Sequence, residues 1–171
     1  MSKHLRIAFL MLVALVLAGT ALAADTSKPA NASLAFDKLK SLVGNWEATS
    51  NKGKVTASYE LVANGTALLE KTKVDEGEMV TVYHLDGNRL VLTHYCIAGN
   101  QPHLQARAFD PDSQEIRFDF SSATNLASPS DGHIHSAVIK FVGPDAFNSD
   151  WTFNKDGKAA VLEQMQFHRV R

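Results

Sequence analysis

Turn signals recur along this chain at nearly even spacing, and that spacing limits the fold more than any other feature. Asn51-Lys52-Gly53, Asn64-Gly65, Glu76-Gly77, Asp86-Gly87, Pro111-Asp112, Asp131-Gly132, Gly143-Pro144 and Asp156-Gly157 stand between runs of alternating apolar and polar residues. Glycine after Asn or Asp reaches the positive φ of a tight hairpin at little steric cost. The runs read as strands over 46–50, 54–61, 67–73, 78–85, 89–97, 104–109, 115–121, 133–142, 146–153 and 160–170. About ten strands joined by short turns predict an all-β, antiparallel up-and-down meander, and closure into a β-barrel removes its exposed edges. One short helix precedes them. Leu34, Phe36, Leu39, Leu42 and Val43 fall at roughly helical spacing, with Ser33 to cap the start and Gly44 to end it.

Successive strand residues face opposite sides, so parity predicts the interior. Ile116, Phe118 and Phe120 share one face, as do Val55, Ala57, Tyr59 and Leu61. In the strand from His133, the face of His133, His135, Ala137, Ile139 and Phe141 is the expected interior. Over 89–97 both faces are apolar: Leu90, Leu92, His94 and Cys96 on one, Val91, Thr93, Tyr95 and Ile97 on the other. Parity there stays open.

Residues 1–23 have a secretory pattern. Lys3, His4 and Arg6 make a basic start, Ile7 to Ala18 is apolar, and Ala21-Leu22-Ala23 is a small-x-small cleavage site. The apolar run is shorter than the roughly 20 residues a spanning helix needs. The expectation is a periplasmic or secreted protein with no membrane anchor, since Cys96 is the only cysteine and a lipoprotein carries one at the cleavage site. Residues 24–32 read as a flexible leader and 33–171 as a single domain. Cleavage would leave 15 of the 17 basic residues against 18 acidic ones. That balance offers nucleic acid no basic footprint.

The chemistry-bearing residues are few. His94 and Cys96, two apart on a strand, would project to one side roughly 6–7 Å apart, and His133 and His135 form a second such pair. Together the four would suit zinc or copper if they converged on one cavity. The plainer reading is hydrogen-bonded interior or rim groups, because any strand places i and i+2 on one face. Cys96 would become a nucleophile only beside a base that lowers its pKa. Tyr59, Tyr83, Phe118, Phe120, Phe141, Trp151 and Phe153 offer an aromatic core or lining. Residues 121–133 form a long polar connection that could be a lid or a surface loop.

The helix, then Gly44-Asn45-Trp46 opening the first strand, then a meander whose last strand carries Arg169, resembles the calycin superfamily of lipocalins, fatty-acid-binding proteins and their relatives. The stretches TVYHLDGNRLVLTHYCIAGNQPHL and TNLASPSDGHIHS are similar to a family of small exported bacterial calycin-like proteins of unknown function. The resemblance covers most of 34–171. It implies that Trp46 plugs the closed end of the barrel and that Arg169 packs across it; it brings no known activity. The superfamily includes nitrobindin-like haem barrels, glycine-rich just after their tryptophan, whereas Glu47-Ala48-Thr49-Ser50 follows Trp46 here. His168, near the chain end, falls on the face opposite Phe167. Haem is therefore not the expected occupant.

A barrel of this width encloses more space than its side chains readily fill. The expected function is to hold a small, largely apolar molecule, oriented by Tyr83, His94, Cys96, His133 and His135, without a required cofactor. Two alternatives stand beside it: a metal- or histidine-assisted enzyme acting on a small substrate in the same cavity, and a filled barrel whose outer face binds another protein.

Overall fold

A computed structural model describes residues 32–50, 53–107, 109 and 111–171. The secretory stretch at 1–23 and the leader up to residue 31 lie outside the described residues. Helix α1, Ala32–Lys40, leads into ten strands: β1 Gly44–Ser50, β2 Gly53–Val62, β3 Ala67–Val74, β4 Gly77–Asp86, β5 Arg89–Tyr95, β6 Gln101–Ala106, β7 Glu115–Thr124, β8 His133–Gly143, β9 Ala146–Lys155 and β10 Lys158–Arg169. Each strand pairs antiparallel with its sequence neighbours. β1 also pairs with β10, Trp46 opposite Arg169, so the sheet closes into a barrel without an edge.

The helix buries Ala35, Phe36 and Leu39. Leu34 and Val43, expected in the same stripe, are exposed instead. With Ala32, the buried residues make the i, i+3, i+4, i+7 face of one helix, and Leu34 lies off that face. Ser33 falls within the first turn, not at its cap. Among the described residues no helix is long and apolar enough to cross a membrane.

α1 caps one end of the barrel, where the aromatic core is densest. Trp46 is buried and its Nε1 donates to the Leu42 carbonyl at 2.6 Å. Phe147 meets it edge-on at 4.8 Å and stacks on Phe167 at 4.7 Å. The Arg169 guanidinium lies 4.2 Å over the Trp46 ring. It also donates to the carbonyls of Ser41, Val43 and Pro144 and pairs with Asp145, which ties the chain entering β1 to the β8–β9 turn. Gly44 is required beneath it: its φ is +126°, and a Cβ there would stand 2.9 Å from Arg169 Nη1.

Above this plug, Leu68, Tyr83, Leu92 and Leu104 stand side by side across β3 to β6, all buried. That row settles the parity of β5: Leu90, Leu92 and His94 face inward, while Tyr95 and Ile97 are exposed. Three expectations are corrected. Leu61 is exposed at the end of β2, where the chain leaves the barrel wall through a 3-10 turn at Ala63–Gly65. β6 runs from Gln101 to Ala106, not over 104–109. It admits Pro102 because its pairing with β5 spans only His103–Gln105, so the missing N–H costs no ladder bond on that side. His135 is exposed, since the β8–β9 register shifts between Ile134 and Ser136, and this bulge interrupts locally the alternation that buries His133, Ala137, Ile139 and Phe141.

Candidate functional site

One register step from the apolar row towards the open end, the pairing sets Tyr59 on β2, Glu70 on β3, Thr81 on β4 and His94 on β5 next to one another. All four are buried. Directly opposed residues on one face of a sheet lie within reach of each other, and these types bond laterally. Tyr83 Oη donates to Glu70 Oε2 at 2.6 Å, and Thr72 Oγ1 donates to Oε1 at 2.7 Å. Tyr59 is a third donor to the same carboxyl. Burial raises the Glu70 pKa, and the three hydroxyl bonds only partly offset it. Both tyrosines are held well above their ordinary value by burial and by the adjoining acid.

His94 ends the row. Its Nδ1 lies 2.9 Å from Thr81 Oγ1, and its ring packs at 5.1 Å against Trp151, whose Nε1 donates to Ser149 Oγ at 2.6 Å. Its Nε2 is buried and has no hydrogen-bond partner among the described residues. Burial lowers the imidazole pKa to about 4, so the ring is neutral near pH 7. The Thr81 hydroxyl can donate or accept. Nε2 accordingly presents a lone pair or an N–H, depending on the tautomer.

His94 bounds a cavity of two parts at the end of the barrel remote from α1. The outer chamber, about 380 Å³, is lined by Val74, Glu76, Met79, Cys96, Ile97, Ala98, Ile134, Trp151, Phe153, Val161 and Glu163. The inner one, about 50 Å³, adds Glu70, Thr72, His94 and Met165. Val74, Met79, Ile134, Trp151 and Glu163 belong to both, so the chambers adjoin. Walls of this kind, mostly apolar with a few polar groups at depth, suit an amphiphilic small molecule.

The residues singled out from sequence are divided by this geometry. His94 bounds the inner chamber. Cys96 lies just past the end of β5 at the rim of the outer chamber, half-buried, its thiol bonded to the backbone of Ala98 and Ile97 and its pKa raised by burial. Tyr83 does not line the cavity; it supports Glu70 from behind. His133 is buried with Nδ1 2.8 Å from the Asp131 carbonyl oxygen, and its Nε2 is 3.2 Å from Nδ1 of the exposed His135. Phe120 packs on both rings. The bulge turns Ile134, not His135, towards the cavity. His94 and Cys96 thus line adjoining chambers, whereas His133 and His135 contact each other outside that lining. Among the described residues no group of three or more His, Cys, Asp or Glu side chains is arranged to hold a metal ion.

Of the expected aromatic lining, Trp151 and Phe153 reach the cavity, while Tyr59, Phe118 and Phe141 are core. Glu70, Thr72, Thr81 and Glu163 escaped the sequence reading, although a signal existed. Glu70 shares parity with Leu68 against Lys71 and Lys73, and Glu163 shares it with Met165 and Phe167. The long connection is shorter than expected, because β7 extends to Thr124, and it is held to its neighbours. Asn100 Nδ2 donates to the Gly132 carbonyl at 2.7 Å, and the Asp156 amide donates to the Ser130 carbonyl at 2.8 Å.

Gly132 lies directly under Phe153: a Cβ at this position would stand 2.4 Å from the ring's Cζ. Gly132→Ala must therefore swing the ring out of its place in the cavity wall. We expect an affinity change of about threefold or more for an apolar probe with little change in unfolding midpoint, and unchanged affinity would show that the ring does not shape the site.

No family model matches the chain, and no curated protein matches it. Among solved structures, Rv2717c from M. tuberculosis aligns with a TM-score of 0.58 at 15% identity, over 80% of this chain and 98% of that one. A protein of unknown function of the DUF3598 family from Nostoc punctiforme PCC 73102 aligns with a TM-score of 0.55 at 13% identity, over 77% of this chain and 48% of that one. At these identities the likeness concerns the fold. What these structures share with the chain is the fold, here a closed ten-stranded antiparallel β-barrel.

Proposed function

We propose that this barrel binds a small, largely apolar molecule, which enters at the end remote from α1 and places its polar group at His94. One observation carries the reading: a cavity of about 380 Å³ with largely apolar walls adjoins a small inner chamber bounded by His94, whose buried Nε2 has no hydrogen-bond partner among the described residues. Leaving such an atom unpaired costs free energy that a bound polar group would recover. Taken with the secretory pattern of residues 1–23, the ligand is one met outside the cytoplasm.

Histidine-assisted chemistry in the same cavity draws on the same atom, but burial works against it. An imidazole with a pKa of about 4 is a weak proton acceptor near pH 7. It serves better as a neutral hydrogen-bonding group than as a general base.

The test is a fluorescence titration with N-phenyl-1-naphthylamine, a neutral apolar probe, on the protein and on Ala98→Trp. Ala98 is exposed at the rim, so the indole obstructs the outer chamber without entering the core. We expect saturable binding that weakens by about tenfold or more in the variant. No saturable binding by the unaltered protein would reject the ligand reading.

A further inference from the structure

Of the chain's four methionines, Met79 and Met165 fall within the described residues, and Cys96 is its one cysteine. No other described residue carries sulfur, and all three border the cavity: Met79 lines both chambers, Met165 the inner one and Cys96 the outer one. The inner chamber thus collects two thioether side chains, from β4 and β10, and the imidazole of His94 on β5, whose buried Nε2 has no hydrogen-bond partner among the described residues.

The register brings these donors near one another. Thr81 stands opposite His94, and Met79 lies two residues before Thr81 on the same face of β4, so Met79 is a diagonal neighbour of His94. Residues so related stand roughly 7–8 Å apart, within reach of a long side chain. Met165 stands opposite Ser149, whose Oγ accepts from the Trp151 indole, and that ring packs on His94. With Nδ1–H donating to Thr81 Oγ1, Nε2 carries a lone pair, and the same bond orients the ring as outer partners orient metal-bound imidazoles.

Thioethers are neutral and soft. They suit Cu(I) far better than a hard divalent ion, which would give up its hydration for weak donors in a largely apolar wall. The Trp151 face adds attraction for a cation. The inner chamber, at about 50 Å³, is on the scale of one ion, whereas organic ligands fill pockets of roughly 300 Å³ or more. The two thioethers and the unpartnered nitrogen are separate observations that favour the same occupant. We propose that the inner chamber is a site for one Cu(I) ion, held by Nε2 of His94 and the Sδ atoms of Met79 and Met165. Cys96, at the rim of the outer chamber, is not part of the set. The site needs only the inner chamber and does not rest on the binding of an apolar molecule.

The experiment is competition for Cu(I), under anaerobic reducing conditions, between the chromogenic chelator bicinchoninate and the protein, its Cys96→Ser form, and Met79→Leu, Met165→Leu and His94→Gln made in that form. Cys96→Ser should retain one Cu(I) per chain, and each further substitution should weaken it by about tenfold or more. Leucine conserves the volume of methionine, and an unchanged urea midpoint shows that those variants are folded. X-ray absorption of the Cu(I) adduct should show one nitrogen and two sulfur neighbours. Zn(II), followed with a zinc-responsive chelator, should bind at least about a hundredfold more weakly. Copper surrendered wholly to the chelator would overturn the site, as would copper held only while Cys96 is present, or held equally by the folded leucine variants. Zn(II) bound as tightly as Cu(I) would overturn the selection of a soft ion. Titration of the metal-free protein with N-phenyl-1-naphthylamine decides the apolar-ligand reading separately, so either can fail while the other stands.

Discussion

Replacing Trp46 with alanine is expected to lower the unfolding free energy by about 3–5 kcal/mol, the range for removing a large buried aromatic side chain. The urea midpoint should fall with little change in slope. The indole fills the end of the barrel under α1, and its removal opens a void that Phe147, itself stacked on Phe167, is poorly placed to close. It also strips the Arg169 guanidinium of the ring it covers and leaves the Leu42 carbonyl without its side-chain donor. Trp46→Phe keeps an apolar ring and should cost about half as much. Because Trp46 belongs to the plug and not to the cavity, the affinity of the folded protein for N-phenyl-1-naphthylamine should stay within about twofold. A loss of less than about 1 kcal/mol in Trp46→Ala would mean that the plug is not a main source of stability.

The plug and the barrel were legible because their signals are local. Each hairpin carries its own turn residues, and Gly44-Asn45-Trp46 with Arg169 marks where the first and last strands meet. The site was legible only in part. His94 could not be placed by alternation, since Tyr95 and Ile97 are as apolar as Leu90 and Leu92; its direction follows from Leu92 standing beside Tyr83 in the neighbouring strand. His135 was misplaced because strict alternation was carried through a bulge, which depends on the pairing of two strands and not on the residues of one. Glu70 shows the same limit. Its parity points inward, yet a carboxyl is tolerable there only because Tyr59, Thr72 and Tyr83 supply hydroxyls from three strands. Which hydroxyls those are depends on register. The spacing of His94 with Cys96 and of His133 with His135 resembled ligand pairs because every strand produces that spacing.

The two buried titratable groups of the polar row should give the protein a stability profile with opposing slopes. His94 has a folded pKa of about 4, against an ordinary value of about 6.5 for histidine. Between these values the unfolded chain binds the proton more readily, so stability falls as pH is lowered through this window, by a total on the order of 3 kcal/mol. Glu70 has the opposite sign. Its folded pKa is raised, so the native state holds the proton more tightly and stability falls as pH rises from the ordinary carboxylate range through the raised value. Urea unfolding of the protein, His94→Gln and Glu70→Gln from pH 3.5 to 8 separates the two, because differences between variants cancel the surface carboxylates common to all. His94→Gln should lose part of the acid-side decline, and Glu70→Gln should lose a decline on the opposite side. If His94→Gln retained the full acid slope, the imidazole would not be neutral and buried in the native state, and the neutral hydrogen-bonding role proposed for its Nε2 would be lost with it. A flattened slope in His94→Gln, with the contribution of Glu70 intact, would mean that the polar row holds a neutral imidazole next to the cavity across the physiological range. That is the state the proposed ligand-binding role of His94 requires, a neutral hydrogen-bonding group beside the cavity.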